Sequence, residues 1–166
     1  MNNVLSIGEA QIKLDSGWTK LEEKVMPSTR AVLAKPDSAE YPVIHYELHR
    51  IELDDLNTFQ ALLNCKAVGD LLLPTEVSSL AFILKERSQP KFRASLQRDT
   101  LAGRDGIVAW IANEEKHTYS WSFLYVTAAM GTKLIEEIGC EGTPVDKLLW
   151  KQGLQAIQEL KWKPSL

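Results

Sequence analysis

The stretch Thr118-Tyr119-Ser120-Trp121-Ser122-Phe123-Leu124-Tyr125-Val126 decides the fold. Its aromatic residues Tyr119, Trp121, Phe123 and Tyr125 take every second position, with Thr118, Ser120, Ser122, Leu124 and Val126 between them. Successive side chains of a strand point to opposite faces, so this period of two predicts a β-strand with all four rings on one surface. That surface has two readings. It is core beneath a helix, or it is an apolar groove, where Trp and Tyr are the residues that most often anchor a partner.

Outward from this stretch the same period recurs. In residues 43–50, Ile44, Tyr46 and Leu48 alternate with His45, Glu47 and His49, which predicts a half-buried antiparallel strand with a wet polar face. Shorter strands are predicted at residues 12–14, before the turn cluster Asp15-Ser16-Gly17 and Trp18, and at residues 30–34. Strands return from Phe92 onward. Gly103-Arg104-Asp105-Gly106 reads as a hairpin connection, with Asp105-Gly106 as the turn dipeptide before residues 107–112, which are apolar on both faces as in a central strand. Gly131 marks a turn into residues 133–140, which fit a strand or a short helix.

Three segments carry helical spacing. Asp54 and Asp55 supply an N-cap and an acidic first turn for a helix with Leu56, Phe59, Leu62 and Leu63, running to about residue 68 before Gly69. Residues 75–87 fit a helical stripe of Val77, Leu80, Ala81 and Leu84 and also a buried strand at residues 81–84; helix is the preferred reading. The last helix is expected to begin with Thr143 as N-cap and Pro144 in the first turn, and to bury Val145, Leu148, Leu149, Ala156, Ile157 and Leu160. Gly153 in its middle costs about 1 kcal/mol relative to Ala. Strands, helix, strands and helix in this order predict an α+β fold, an antiparallel sheet flanked by helices.

Composition bounds the rest. With 166 residues, 45% hydrophobic and 25% charged, the chain reads as one ordinary globular domain. A net charge of -3 gives no basic field for nucleic acid or an anionic membrane. The richest basic stretch, Lys85, Arg87, Lys91, Arg93, Arg98 and Arg104, is interrupted by Glu86, Asp99 and Asp105 and reads as a solvated sheet face. The N-terminus lacks secretory-signal features and no apolar run is long enough for a membrane span, so a soluble, cytoplasmic protein is expected. Cys65 and Cys140 fit no CxxC spacing and are expected to be buried and reduced.

No GxGxxG, P-loop, GxSxG or HExxH motif is present. His45, Glu47 and His49 share a strand face, but at about 3.3 Å per residue the outer two are roughly 13 Å apart, whereas metal ligands lie about 2 Å from one ion. At most a neighbouring pair could share a metal, with further ligands from elsewhere; a polar outer face is the preferred reading. His117 in Asn113-Glu114-Glu115-Lys116-His117 reads as a hairpin tip. The adjacent carboxylates Glu22-Glu23, Asp54-Asp55, Glu114-Glu115 and Glu136-Glu137 do not converge where they lie on strands, because neighbours point to opposite faces. No catalytic, metal-binding or cofactor-binding residue is expected.

Glu9-Ala10-Gln11-Ile12-Lys13-Leu14-Asp15-Ser16-Gly17-Trp18 resembles the opening strand, and Trp150-Lys151-Gln152-Gly153-Leu154-Gln155 the tryptophan-led last helix, of the effector-associated (Eag-type) chaperones of type VI secretion. The element order resembles the PsbP/DcrB-like α/β sandwich. The resemblance implies a cytosolic protein, often dimeric, that shields apolar segments of a secreted toxin effector and needs no cofactor. An immunity protein that neutralises such a toxin fits equally. The candidate partner-binding residues are Tyr119, Trp121, Phe123 and Tyr125, together with Trp18. The alternative is a small-ligand binder or enzyme with a pocket roofed by Trp110, Trp121 or Trp150.

Overall fold

The alternating stretch folds as the first three quarters of a long strand, β9 (Thr118–Ala129). In the computed structural model, which describes residues 2–7, 9–15, 17–20, 24–25, 29–37, 42–84, 91–129 and 132–164, β9 lies inside a large antiparallel sheet. The chain enters through β1 (Asn2–Ile7), β2 (Ala10–Asp15), β3 (Trp18–Lys20), β4 (Lys24–Val25), β5 (Thr29–Pro36) and β6 (Val43–His49). Helices α1 (Leu53–Cys65), α2 (Pro74–Ser78) and α3 (Ala81–Leu84) follow, then β7 (Phe92–Leu101), β8 (Arg104–Asn113), β9 and β10 (Thr132–Gly142). A 3-10 turn (Pro144–Asp146), α4 (Lys147–Gln158) and β11 (Lys161–Trp162) complete it. The large sheet runs β3-β5-β6-β10-β9-β8-β7, with β4 also on β5, and a small sheet runs β1-β2-β11. The fold is α+β, as the order of elements predicts.

Both faces of the large sheet are covered. On one, Ile44, Tyr46, Val108, Trp121, Phe123, Tyr125, Ile138 and Cys140 pack beneath the small sheet (Ala10, Ile12, Leu14) and α4 (Ile157), with Leu160 beside them. On the other, Leu96, Ile107, Ala109, Ile111, Leu124 and Ile135 pack beneath α1 (Leu56, Phe59, Leu62) and Leu80, Ile83 and Leu84 of the α2–α3 region. Each large side chain so buried contributes about 1.5–3 kcal/mol. This corrects the expected wet face of β6. His49 is buried and His45 and Glu47 are only half-exposed, because polar groups from neighbouring strands meet them.

Residues 133–140 are strand, within β10, and residues 75–84 are the two short helices α2 and α3, while residues 85–90 and Gly131 lie outside the described residues. In α1 the N-cap position is Glu52 and not Asp54 or Asp55, which stand in the first turn. The β7–β8 turn is Ala102-Gly103, both at positive φ (48° and 82°), as a two-residue hairpin demands. Asp105-Gly106 is therefore strand. Gly106 is required for close approach: a Cβ there would stand 2.3 Å from the Leu124 carbonyl oxygen and 2.5 Å from the Phe123 ring.

Two further corrections concern burial. The last helix buries Ile157 as expected, together with Gly153, and Leu160 just past its end is buried too. At its start the expectation fails: Val145, in the tighter 3-10 turn, and Leu148 are exposed. Gly153 lets α4 settle on the sheet, its missing Cβ 3.0 Å from Cys140 Sγ and 3.1 Å from the Trp18 ring. Cys65 is exposed at the end of α1, while Cys140 is buried as expected.

The basic stretch is not a uniform solvated face. Arg98 is buried: its Nε donates to the Leu63 carbonyl at 3.2 Å and its guanidinium pairs with Asp105 at 3.1 Å, tying the end of α1 to the β7–β8 hairpin. Arg93 and Lys91 do lie at the surface, paired with Glu114 and Glu115, and Lys85 and Arg87 fall outside the described residues. Along the outer edge of β7, residues 69–72 add main-chain bonds, with Gly69 N–H to Arg98 O at 2.7 Å, Arg98 N–H to Asp70 O at 2.9 Å and Leu72 N–H to Leu96 O at 2.9 Å.

Candidate functional site

Two places on the large sheet gather side chains beyond what packing needs. The first is a polar cluster on the α1 face. In the β6–β10 register Glu137 stands opposite Glu47, with His49 opposite Ile135 and His45 opposite Gly139. The Glu137 carboxylate, 1% exposed, receives both imidazoles: His45 Nε2 lies 2.9 Å from Oε2 and His49 Nε2 3.1 Å from Oε1. His49 Nδ1 faces Glu47 Oε1 at 3.9 Å. Although the two histidines are four residues apart, their rings lean together onto one carboxylate from the adjacent strand.

Gly139 makes the lean feasible. A Cβ there would stand 2.7 Å from His45 Cε1 and 2.7 Å from Ser122 Oγ. Ser122 Oγ lies 3.3 Å from His45 Nε2. This is not a nucleophile relay. In such a relay the serine and the carboxylate meet different ring nitrogens, whereas here both meet Nε2, and Ser122 is fully buried. Glu47, His49 and Glu137 each offer one donor atom within 4.8 Å of the others, so this trio is the described residues' candidate for holding a metal.

On the opposite face Glu136 is buried among tyrosines. Tyr46 donates to its Oε1 at 2.7 Å, and Tyr125 stands across from it in the register. Neither the Tyr125 hydroxyl nor Glu136 Oε2 has a partner at hydrogen-bonding geometry. Burial pushes the Glu136 carboxyl above its ordinary range, and burial likewise raises the Tyr125 phenol. Nearby, Arg104 lies over the Trp162 and Tyr125 rings, 4.2 and 5.1 Å from their centroids, and pairs with Glu9 at 2.5 Å. Burial opposes ionisation of Glu9, but hydrogen bonds from Thr127 and Arg104 outweigh it and hold that carboxyl below its usual value.

The second place is an aromatic shelf at the far end of the same face. Trp150 of α4 touches Tyr119 edge-on at 4.8 Å and Trp110 at 5.9 Å. The Tyr119 hydroxyl donates to Thr143 O at 3.2 Å. Trp110 is 42% exposed. Beside it runs an open groove of about 220 Å³ lined by Arg93, Ala94, Ser95, Trp110, Ala112 and Tyr119 among others. Val145 and Leu148, at the start of the helix that carries Trp150, are also exposed.

Of the five residues read as partner-binding, Trp18, Trp121, Phe123 and Tyr125 are buried, and Tyr119 alone reaches the surface, at the shelf. The structure brings Trp110 and Trp150 together at a surface, with Trp121 buried opposite Trp110 in the β8–β9 register. His117 is at the hairpin tip, exposed and at positive φ. No local pattern in the sequence marks Glu137, Ser122 or Gly139 as site residues. The pointing of Glu136 and Glu137 to opposite faces follows from strand period, but what each meets follows only from the strand register.

No protein-family model matches the sequence, and no curated protein matches it significantly. Among solved structures the fold is similar to that of LpqN, involved in cell envelope biogenesis of Mycobacterium tuberculosis, with a TM-score of 0.48 and 11% identity over 99% of this chain and 91% of that one. The likeness bears on neither activity nor partner here. Among the described residues no helix is long and apolar enough to cross a membrane.

Proposed function

We propose that the chain is a non-enzymatic protein-binding module that receives an apolar, extended segment of its partner on the Trp110, Tyr119 and Trp150 shelf. The observation that carries this reading is Trp110, a large ring left 42% exposed on a sheet strand beside an apolar groove. Tryptophan and tyrosine in such settings are the residues that most often dominate binding energy. The groove runs along Arg93, Ala94 and Ser95 of edge strand β7, where an extended segment can lie beside the strand. Its volume, about 220 Å³, is below the roughly 300–1,000 Å³ of small-molecule sites, which favours a polypeptide over a small ligand.

The partner class follows the resemblance of the opening strand and last helix: a secreted toxin effector, bound in the cytoplasm by a chaperone or immunity protein. The test is affinity purification from the native host with the wild type and with Trp110→Ser, followed by binding of the recovered partner's apolar segment as a synthetic peptide. A hot-spot tryptophan contributes about 2 kcal/mol or more, so the peptide should bind Trp110→Ser about thirtyfold more weakly. Equal affinity for both proteins, or no polypeptide recovered by the wild type, would sink the reading.

A further inference from the structure

Resting on the shelf reading above, we propose that the segment the shelf receives is acidic beside its apolar anchor, and that Lys147 and Lys151 recognise its carboxylates. The phase of α4 carries the first step. Lys147, Trp150, Lys151 and Leu154 recur at three and four residues, so they share one flank of the helix. Trp150 fixes which flank this is, since its ring touches Tyr119 and Trp110. Gln152, Ala156 and Glu159 lie on the other flank, which borders Lys13 and Trp18. Both lysines are exposed, and both stand on the side of the helix that borders the shelf.

The two sides of the groove differ in charge. On the β7 side Arg93 pairs with Glu114 and Lys91 with Glu115, which leaves that rim balanced. On the α4 side no acidic residue stands in the first turn of the helix, and among the described side chains no carboxylate pairs with Lys147 or Lys151. Two like charges four residues apart on a helix repel each other, and an anionic partner relieves that repulsion. Between the rims the floor is apolar, with Ala94, Trp110, Ala112 and Tyr119. An apolar floor with a cationic rim accepts an acidic segment and rejects a basic one, because rim charges set which partners are tolerated.

The extended form fixes the spacing of the partner's groups. Residues two apart in a strand share a face, about 6.6 Å from each other. With an apolar anchor seated on Trp110, a glutamate or aspartate two positions away therefore faces the same surface.

The experiment uses the full chain and three synthetic peptides of about a dozen residues. They share an apolar centre of leucine and phenylalanine and differ only in carrying glutamate, glutamine or lysine two positions to either side of it. Affinities are read from amide shifts in NMR titrations. At low salt the glutamate peptide should bind about five- to tenfold more tightly than the glutamine peptide, since exposed ion pairs are individually weak, and the lysine peptide more weakly than either. The advantage should shrink at about 1 M salt, where the screening length falls to about 3 Å. The double change Lys147→Gln and Lys151→Gln should weaken the glutamate peptide and strengthen the lysine peptide, opposite effects that damage to the fold would not give. An unchanged ranking in that variant, or three equal affinities that all fall in Trp110→Ser, would overturn the acidic preference and leave the shelf reading standing. Binding of none of the three by the wild type would overturn both.

Discussion

The two faces of the large sheet are built from the same strands yet do different work. Beneath the small sheet and α4 the sheet presents Tyr46, Trp121, Phe123 and Tyr125, large rings closed over by Ile12, Leu14 and Ile157. Beneath α1 the packing is aliphatic, and toward β6 it gives way to Ser122, His45, His49 and Glu137. Adjacent residues of β10 show the division most plainly. Glu136 points among tyrosines, where burial opposes its charge, and Glu137 points between two imidazoles that welcome it. A strand can thus bury aromatic packing on one side and a hydrogen-bonded polar cluster on the other, because period two separates them completely.

The sharpest way to break this contrast is Phe123→Ala. Phe123 is fully buried and stacks on Tyr125 at 5.7 Å, so truncation should cost about 3–5 kcal/mol. Urea melts measure it, and a loss under about 1 kcal/mol would remove the aromatic face from the core. Next comes Gly139→Ala on the polar side. Its Cβ would meet the Trp121 carbonyl oxygen at 2.4 Å as well as the His45 ring, and overpacking of this kind costs about 1–3 kcal/mol. An unchanged urea midpoint would mean that the cradle under His45 is not needed.

Glu136→Gln tests the acid on the aromatic side with the opposite sign. Burial raises its carboxyl in the fold above the ordinary glutamate range, so the fold binds its proton more tightly than the unfolded chain does. Stability from this group therefore falls as pH rises from the unfolded value through the folded one, and stays lower above it. The variant should melt above the wild type at pH 8, and the difference should close below pH about 4. A wild type that melts higher at pH 8 would show that the ionised Glu136 is stabilising.

The smallest effect involves no stability at all. Burial pushes the Cys140 thiol up to about 12, while Cys65 is exposed, and the thiolate is the reactive form. Iodoacetamide should add once to the native protein, at Cys65, and twice after unfolding. Native labelling of Cys140 would mean that α4 opens readily from the aromatic face.

Much of this fold is legible in local pattern, and its failures share one cause. Strand β9 and strand β6 follow from alternation, and α1 from its spacing of Leu56, Phe59 and Leu62. Strand β10 was ambiguous because Leu134, Ile135 and Ile138 fit a helix as well as a strand; its neighbours β6 and β9 resolve it by pairing. The polar cluster was half legible. Three of its members stand together in His45-Tyr46-Glu47-Leu48-His49, but Glu137 reaches them only across the β6–β10 register, some 90 residues along the chain. Gly106 and Gly153 looked like a turn residue and a helix flaw; each is a point where another element comes too close for a Cβ, which no local pattern records.

The strip at residues 69–72 has a consequence for how copies of this protein behave in crowded solution. An edge strand with open main-chain groups is a template for one molecule to zip onto the next. Here the outward groups of Leu96 and Arg98 are already taken by Gly69, Asp70 and Leu72 of the same chain, so the middle of β7 cannot seed such stacking. Self-association into fibres through residues 96–98 would require the strip to peel away first, which makes residues 69–72 a built-in guard against polymerisation there.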